Sequence, residues 1–218
     1  MSRRSSAAGG HRLRKGGLSI APRKLRRLIR KEQEQTLRRF RKQKNRNLLA
    51  EPGPYPYIIV LDHLKPSYNV GKIFRSADAF GAREVHLIGI DFFNPAPAMG
   101  SFKWVPARFH DTAEACIDEL MTRGYTLFTL EPDADIDLTA SPLPERSAFI
   151  FGHEEFGLSF DPAHFPVVRS VKIPQFGRVQ SLNVSIAASV VMYEYIRQCG
   201  RIGEEARGPV AETGTLAD

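Results

Sequence analysis

The sequence predicts an α/β domain on a mainly parallel sheet, preceded by a basic, partly helical N-terminal extension. Three observations lead there. From Tyr57 onward, apolar runs short enough for strands alternate with segments of helical periodicity, the pattern of parallel strands covered by helices. The basic residues are concentrated ahead of that alternation. Residues 1 to 50 hold 17 Lys and Arg against 2 acidic residues, a net of +15, whereas residues 51 to 218 hold 14 against 22, a net of −8. Between the two, EPGPYP at residues 51 to 56 reads as a linker, because its prolines and glycine interrupt any regular element.

Taken in chain order, residues 1 to 20 carry too little apolar surface to offset the entropy of ordering and are expected to be disordered, as is the tail from 201 to 218. From Pro22, Leu25, Leu28, Ile29, Leu37 and Phe40 recur among charged residues, which predicts a basic helix to about Asn45 with proline in its first turn. Its thin apolar stripe leaves open whether it docks on the domain or lies along a polyanion. The domain itself spans 57 to 200. YIIVLD (57–62) reads as its first strand, and Val70, Ile73, Phe74 and Ala77 have the spacing of a helix ending near Gly81. EVHLIGI (84–90) follows as a strand. DTAEACIDELMTRG (111–124) is a helix with acidic residues early, Arg123 late and Gly124 as its stop. Strands are expected at YTLFTL (125–130), SAFIFG (147–152) and VRSVKI (168–173), then a long apolar helix from Leu182 to Gln198 that Gly200 ends.

Composition narrows the function classes. With 218 residues, 42% hydrophobic and 25% charged, the chain suits one domain plus an appendage. It has no apolar run long enough for a membrane span, and no hydrophobic run follows the charged N-terminus as in a secretory signal, so a cytoplasmic protein is expected. Cys116 and Cys199 lie far apart, without CxxC or paired-histidine spacing, and read as buried thiols; neither a disulfide nor a bound metal is expected. The cations Arg23, Lys24, Arg26, Arg27, Arg30, Lys31, Arg38 and Arg39 form a density that attracts polyphosphate, so RNA or DNA is the natural partner, a solvated arm being the alternative.

Three segments carry chemistry-bearing residues where a strand gives way to a helix or turn, the place where open α/β sheets bind ligands. SYNVGKIFRSADAFGA sets Asn69, Gly71 and Arg75 at the start of the first domain helix, where Asn69 as a helix cap and Arg75 as a solvated cation is the competing reading. IFGHEEFGLS brings Gly152 and Gly157 around Glu154, so that backbone can approach a ligand beside a carboxylate; a glycine-bounded turn with solvated glutamates is the alternative, and His153 is either a base or an exposed turn residue. KIPQFGRVQSLNVS leads from a strand through a glycine-containing loop to Ser181, Leu182 and Asn183 at the head of the apolar helix. Capping alone does not account for that whole loop.

In order and spacing, N-x-G-x-x-x-R, G-x-E-x-x-G-L-S and I-P-x-x-G-x-V-x-S-L-N-V-S resemble the SpoU (TrmH) family of the SPOUT RNA methyltransferases, over residues 57 to 198. Two positions differ from the usual pattern, His153 where a small polar residue is common and Gln175 where methionine often follows the Ile-Pro pair. The resemblance implies a SPOUT-type α/β knot, a C-terminal deep trefoil that is an exception to the unknotted rule. It implies a homodimer that methylates a ribose 2′-hydroxyl of a structured RNA, tRNA or rRNA, with S-adenosylmethionine as donor. By the same resemblance Leu130, Gly152, Ile173 and Leu182 contact the cofactor, and Asn69, Arg75, Glu154, Ser181 and Asn183 are the catalytic and RNA-positioning residues. A guanidinium with a pKa above about 12 is a poor base, so the chemistry favours Arg75 as a phosphate grip and oxyanion stabiliser. Methylation of a base nitrogen, and a non-catalytic RNA-binding or ribosome-assembly role, remain as alternatives.

Overall fold

The computed structural model describes residues 22–65 and 67–200, with side chains from residue 25 onward. The expectations of disorder at 1–20 and 201–218, and the side chains of Arg23 and Lys24, lie outside the described residues. Two compact units divide at Gln35, the second running from Thr36. α1 spans Pro22–Asn47, and its residues from Thr36 onward belong to the α/β unit.

The remaining elements are β1 (Tyr55–Asp62), α2 (Tyr68–Ala79), β2 (Ala82–Ile88), β3 (Ala107–His110), α3 (Ala113–Thr122), β4 (Thr126–Leu130), β5 (Ile136–Asp137), β6 (Ser147–Phe151), β7 (Val168–Lys172) and α4 (Val184–Cys199). Every strand pair is parallel, in the order β3-β2-β1-β6-β4-β7-β5. The chain therefore fills one side of β1 first and then crosses to the other, and because all strands are parallel their carboxyl ends share one edge, where open α/β sheets bind ligands.

Strand alternation sorts the core into two layers. Tyr57, Ile59 and Leu61 of β1 face α2 and α4, whereas Ile58 and Val60 face Cys116, Ile117 and Leu120 of α3. Each run is apolar on both faces because helices cover both, as parallel sheets require. α2 sits tightly against the 3-10 turn Ala96–Ala98. A Cβ on Gly71 would lie 3.1 Å from the Ala98 nitrogen and the Asn94 carbonyl oxygen, so this glycine is fixed by helix packing.

Two features differ from the sequence expectation. Short β3 and β5 are additional strands, so the sheet has seven. The division expected at residues 50 to 57 also lies earlier, because the end of α1 is part of the core. Phe40 is buried against Phe92, Phe93 and Phe102, with ring centroids 5.0, 5.3 and 5.6 Å away. The buried Asn47 amide donates to the carbonyl oxygens of Phe102 and Val105, both at 2.6 Å, and its oxygen accepts from the Ala107 N–H at 3.0 Å. Residues 55 and 56, expected as linker, begin β1.

Candidate active site

A cavity of about 780 Å³ opens at the carboxyl ends of β4, β6 and β7. Leu130 ends β4, Gly152 follows β6, Ile173 follows β7, and Leu182 precedes α4; all four line the cavity. Gly152 is required by a close approach. A Cβ there would stand 2.5 Å from the Gly157 carbonyl carbon and 2.7 Å from the Leu158 nitrogen. That proximity lets His153 and Gly157 exchange backbone hydrogen bonds of 2.7 and 2.9 Å, which folds the Glu154 segment into a tight turn. Within it the His153 Nδ1 accepts from the backbone N–H groups of Glu155 and Phe156, at 3.0 and 3.2 Å. His153 thus organises the turn, and its lone pair is engaged there. The end of the same motif is anchored at β1, where the Ser159 backbone N–H and hydroxyl both donate to the buried Asp62 carboxylate, at 2.6 and 2.8 Å.

Three expected site residues from three distant segments meet at one edge of this cavity. Asn69 Nδ2 donates to Glu154 Oε1 at 2.9 Å, and the Lys65 backbone N–H donates to Oε2 at 3.2 Å. Asn183 Nδ2 donates to Asn69 Oδ1 at 3.3 Å. Asn183 is also the N-cap of α4, its Oδ1 accepting from the Ser185 N–H at 3.0 Å and the Ser185 hydroxyl at 2.6 Å. Capping and network membership therefore coexist in one amide. Asn69, in contrast, is not a cap; Ser67 holds the N-cap position of α2, and Asn69 turns its side chain to Glu154. Burial would raise the Glu154 carboxyl, but hydrogen bonds from Asn69, its own backbone and Lys65 hold it below the usual range. It is ionised at neutral pH.

Ser181 is exposed and lines the cavity. Arg75 is exposed on the face of α2 that also carries Tyr68 and Lys72, about two turns beyond Asn69. Among the described residues no side chain bonds or pairs with it, so the structure does not bring it into the Asn69–Glu154–Asn183 network. Sequence reading missed Glu131, which lines the cavity just past β4 and accepts from the Thr129 and Ser170 hydroxyls at 2.8 and 2.9 Å. Its signal was an acidic residue directly after a strand end.

Two further features lie outside the cavity lining. Arg38, Arg39, Lys42, Arg46 and Lys103 surround a shallow basic depression, beside which Lys103 Nζ stands 5.0 Å from the ring centre of exposed Trp104. Farther along the sheet, β2, β3 and α3 bring His86, His110 and Cys116 together, although their sequence spacing suggested no cluster. Burial lowers His86 and His110 below the ordinary histidine range and pushes the Cys116 thiol up to about 12.

Comparison with known proteins places this architecture. Residues 56–193 match the SpoU rRNA Methylase family. The chain belongs to that family. Among its relatives, a tRNA (guanosine(18)-2′-O)-methyltransferase of Thermus thermophilus is 35% identical over 146 residues, 64% of this chain and 74% of the relative. The Escherichia coli protein of the same name is 29% identical over 166 residues, 72% of each chain. Among solved structures, the A. aeolicus TrmH/SpoU tRNA modifying enzyme shares the fold, with a TM-score of 0.61 at 24% identity over 72% of this chain and 82% of that one. The SpoU methyltransferase AviRb of Streptomyces viridochromogenes in complex with AdoMet gives a TM-score of 0.59 at 25% identity, covering 67% of this chain and 61% of its own. Within the matched span, Asn69, Glu154 and Asn183, one from each of three distant segments, meet at one edge of the cavity.

Proposed function

We propose that this protein methylates a ribose 2′-hydroxyl of a structured RNA, a tRNA or an rRNA, with S-adenosylmethionine as donor. One observation carries the reading: the four expected cofactor positions line a single cavity, and Glu154, Ser181 and Asn183 line it with them. The cavity fits the donor in size and character, since sites for molecules of that class run to about 300–1,000 Å³ and combine apolar walls with a few polar groups. Leu130, Ile173 and Leu182 supply the apolar walls, and the Glu131 carboxylate is placed to accept from donor hydroxyl or amino groups.

S-adenosylmethionine supplies a sulfonium methyl that is already electrophilic. The protein's task is then to hold the 2′-oxygen in line and to favour loss of its proton. Ionised Glu154 fixes the Asn69 amide, and Asn69 fixes Asn183, so the rim is pre-organised. Ser181 bonds near the reacting oxygen. Arg75, unpaired among the described residues, is available to grip an RNA phosphate and to stabilise the developing oxyanion. No metal enters this chemistry, because the donor needs no Lewis acid.

Assembly belongs to the same proposal. α4 exposes Ile186, Val190 and Tyr193, at 53, 37 and 56%, spaced as one helical stripe beside the cavity-lining Ala187. A second copy of the chain covers that stripe, which makes the working unit a homodimer, and its C-terminal part is knotted as in SPOUT proteins. No described helix is long and apolar enough to cross a membrane, and an RNA substrate is in keeping with the cytoplasmic location proposed here.

The test is direct. Purified protein, isotopically labelled S-adenosylmethionine and total tRNA or rRNA are incubated, and the RNA is digested to nucleosides and weighed. Label in a ribose fragment supports the proposal. Label in a base fragment, or no donor binding by calorimetry, overturns it in favour of base methylation or a non-catalytic RNA-binding role. Ile186→Asp with Tyr193→Glu is expected to convert a dimer to monomer in sedimentation, and an unchanged mass would sink the dimer assignment.

A further inference from the structure

At the β2–β3 edge, three potential ligand atoms from three elements converge. His86 Nδ1 and His110 Nε2 are 3.0 Å apart, Cys116 Sγ is 3.6 Å from His86 Nδ1, and all three lie within 4.8 Å of one another. Zinc bonds of about 2.1 Å to nitrogen and about 2.3 Å to sulfur, in a tetrahedron, set ligand atoms roughly 3.4 to 3.6 Å apart. The observed spacings need adjustment of only a few tenths of an ångström at the two measured pairs.

The surroundings orient His86 as a metal requires. Glu84, ionised under the charges of Arg123 and Arg108, can only accept, so His86 Nε2 must carry the proton in their 3.1 Å hydrogen bond. The Nδ1 lone pair of His86 therefore points at the cluster. A carboxylate behind a metal-binding imidazole is the common supporting arrangement, fixing tautomer and ring orientation. His86 and Cys116 are buried, whereas His110 is only half-buried at the end of edge strand β3, which gives an ion and a solvent ligand access to the remaining position.

We propose that His86 Nδ1, His110 Nε2 and Cys116 Sγ form a binding site for a divalent transition ion of zinc type, separate from the methyl-transfer cavity. None of the three lines that cavity. Binding replaces the His110-to-His86 hydrogen bond. His110 moves its proton to Nδ1, Cys116 loses its thiol proton to solvent, and the ion takes two nitrogens and one thiolate with no change of oxidation state. The ion would tie β3, joined to the sheet only along β2, to both β2 and α3. Two neutral imidazoles and a thiolate match a borderline-soft ion and disfavour magnesium or calcium, which take oxygen ligands.

Cobalt(II) is the probe, because a thiolate ligand gives it a near-ultraviolet charge-transfer band and a tetrahedral field intensifies its visible bands. Full-length protein stripped with chelator and titrated with cobalt(II) is expected to develop both at one equivalent. Zinc is expected to displace the bands and raise the thermal midpoint. Cys116→Ala should abolish the charge-transfer band and Cys199→Ala should keep it, while Glu84→Gln should weaken binding by about tenfold to a hundredfold. If Cys116→Ala does not fold, His110→Asn at the half-buried edge carries the test, and loss of the tetrahedral bands there supports the site. No charge-transfer band in the wild-type protein, a band that survives Cys116→Ala, or one lost in Cys199→Ala overturns the proposal.

Discussion

At the residue scale the site divides into groups held in place and one group left free. Asn69, Glu154 and Asn183 are locked to one another, whereas Arg75 projects from α2 without a partner among the described residues. A guanidinium recognises phosphate by two parallel N–H bonds, which an ammonium cannot reproduce. Arg75→Lys is therefore expected to lower turnover on RNA by about a hundredfold, the scale of losing a pre-organised oxyanion donor, with donor affinity by calorimetry unchanged. Near wild-type turnover would exclude the two-pronged grip. Glu154 gives a pH prediction. Its folded pKa is depressed, by Asn69 and backbone hydrogen bonds that outweigh burial, so its contribution to stability is complete above the unfolded value near 4.3 and is lost as pH falls through the lower folded value. Glu154→Gln is thus expected to lower Tm at pH 7, with the gap to wild type closing below about pH 4. A gap that stays constant from pH 7 to 3 would mean that the carboxylate charge contributes nothing. The sequence singled out Asn69, Glu154 and Asn183, which the structure brings together, but not how they bond. Whether Asn69 capped a helix depended on Glu154, 85 positions away, and no local pattern carries that pairing.

At the element scale, α1 is more than an appendage. Its last turns insert Phe40 among three phenylalanines and place Asn47 where its amide serves Phe102, Val105 and Ala107 at once. Asn47→Ala leaves two buried carbonyls and one N–H without their partner, an expected cost of about 3 kcal/mol measured by urea unfolding. Asn47→Asp should be no better, because it turns a carboxylate toward the two carbonyl oxygens that the amide now serves. A loss below about 0.5 kcal/mol for Asn47→Ala would show that water replaces the amide fully. The main strands and helices were legible because each bears a period-two or 3.6-residue apolar pattern. β3 and β5 were not, since ARFH has two basic residues in four and ID is a two-residue strand, both at sheet edges where continuous apolar runs are not required. The docking of α1 was equally hidden. One phenylalanine in a basic helix reads as a thin stripe until its partners, scattered through residues 92 to 102, are folded beneath it.

At the scale of the whole molecule, charge and chemistry are separated along the chain. Residues 51 to 218, at a net of −8, line the cavity proposed for methyl transfer, and residues 1 to 50, at +15, carry the charge proposed to attract RNA. The fold dictates where that attraction is safely removed. Cutting at residue 50 would take Phe40 and Asn47 out of the core and confuse unfolding with lost binding, whereas the compact unit begins at Thr36. Residues 1 to 35 contain 11 Lys and Arg against 2 Glu, so their deletion removes cations without removing those anchors. For every RNA phosphate that is no longer neutralised, the slope of log K against log salt flattens by about 0.7 to 0.9. The truncated protein is expected to bind RNA more weakly and with a shallower salt slope, while donor affinity by calorimetry stays at the full-length value. The basic depression of Arg38, Arg39, Lys42, Arg46 and Lys103 remains in the truncated chain, so some salt dependence should persist. Replacing Arg38, Arg39 and Lys42 with alanine in that background should reduce it further. If the full-length and truncated chains give the same slope across several salt concentrations, residues 1 to 35 do not touch RNA phosphates, and capture belongs to the α/β unit alone.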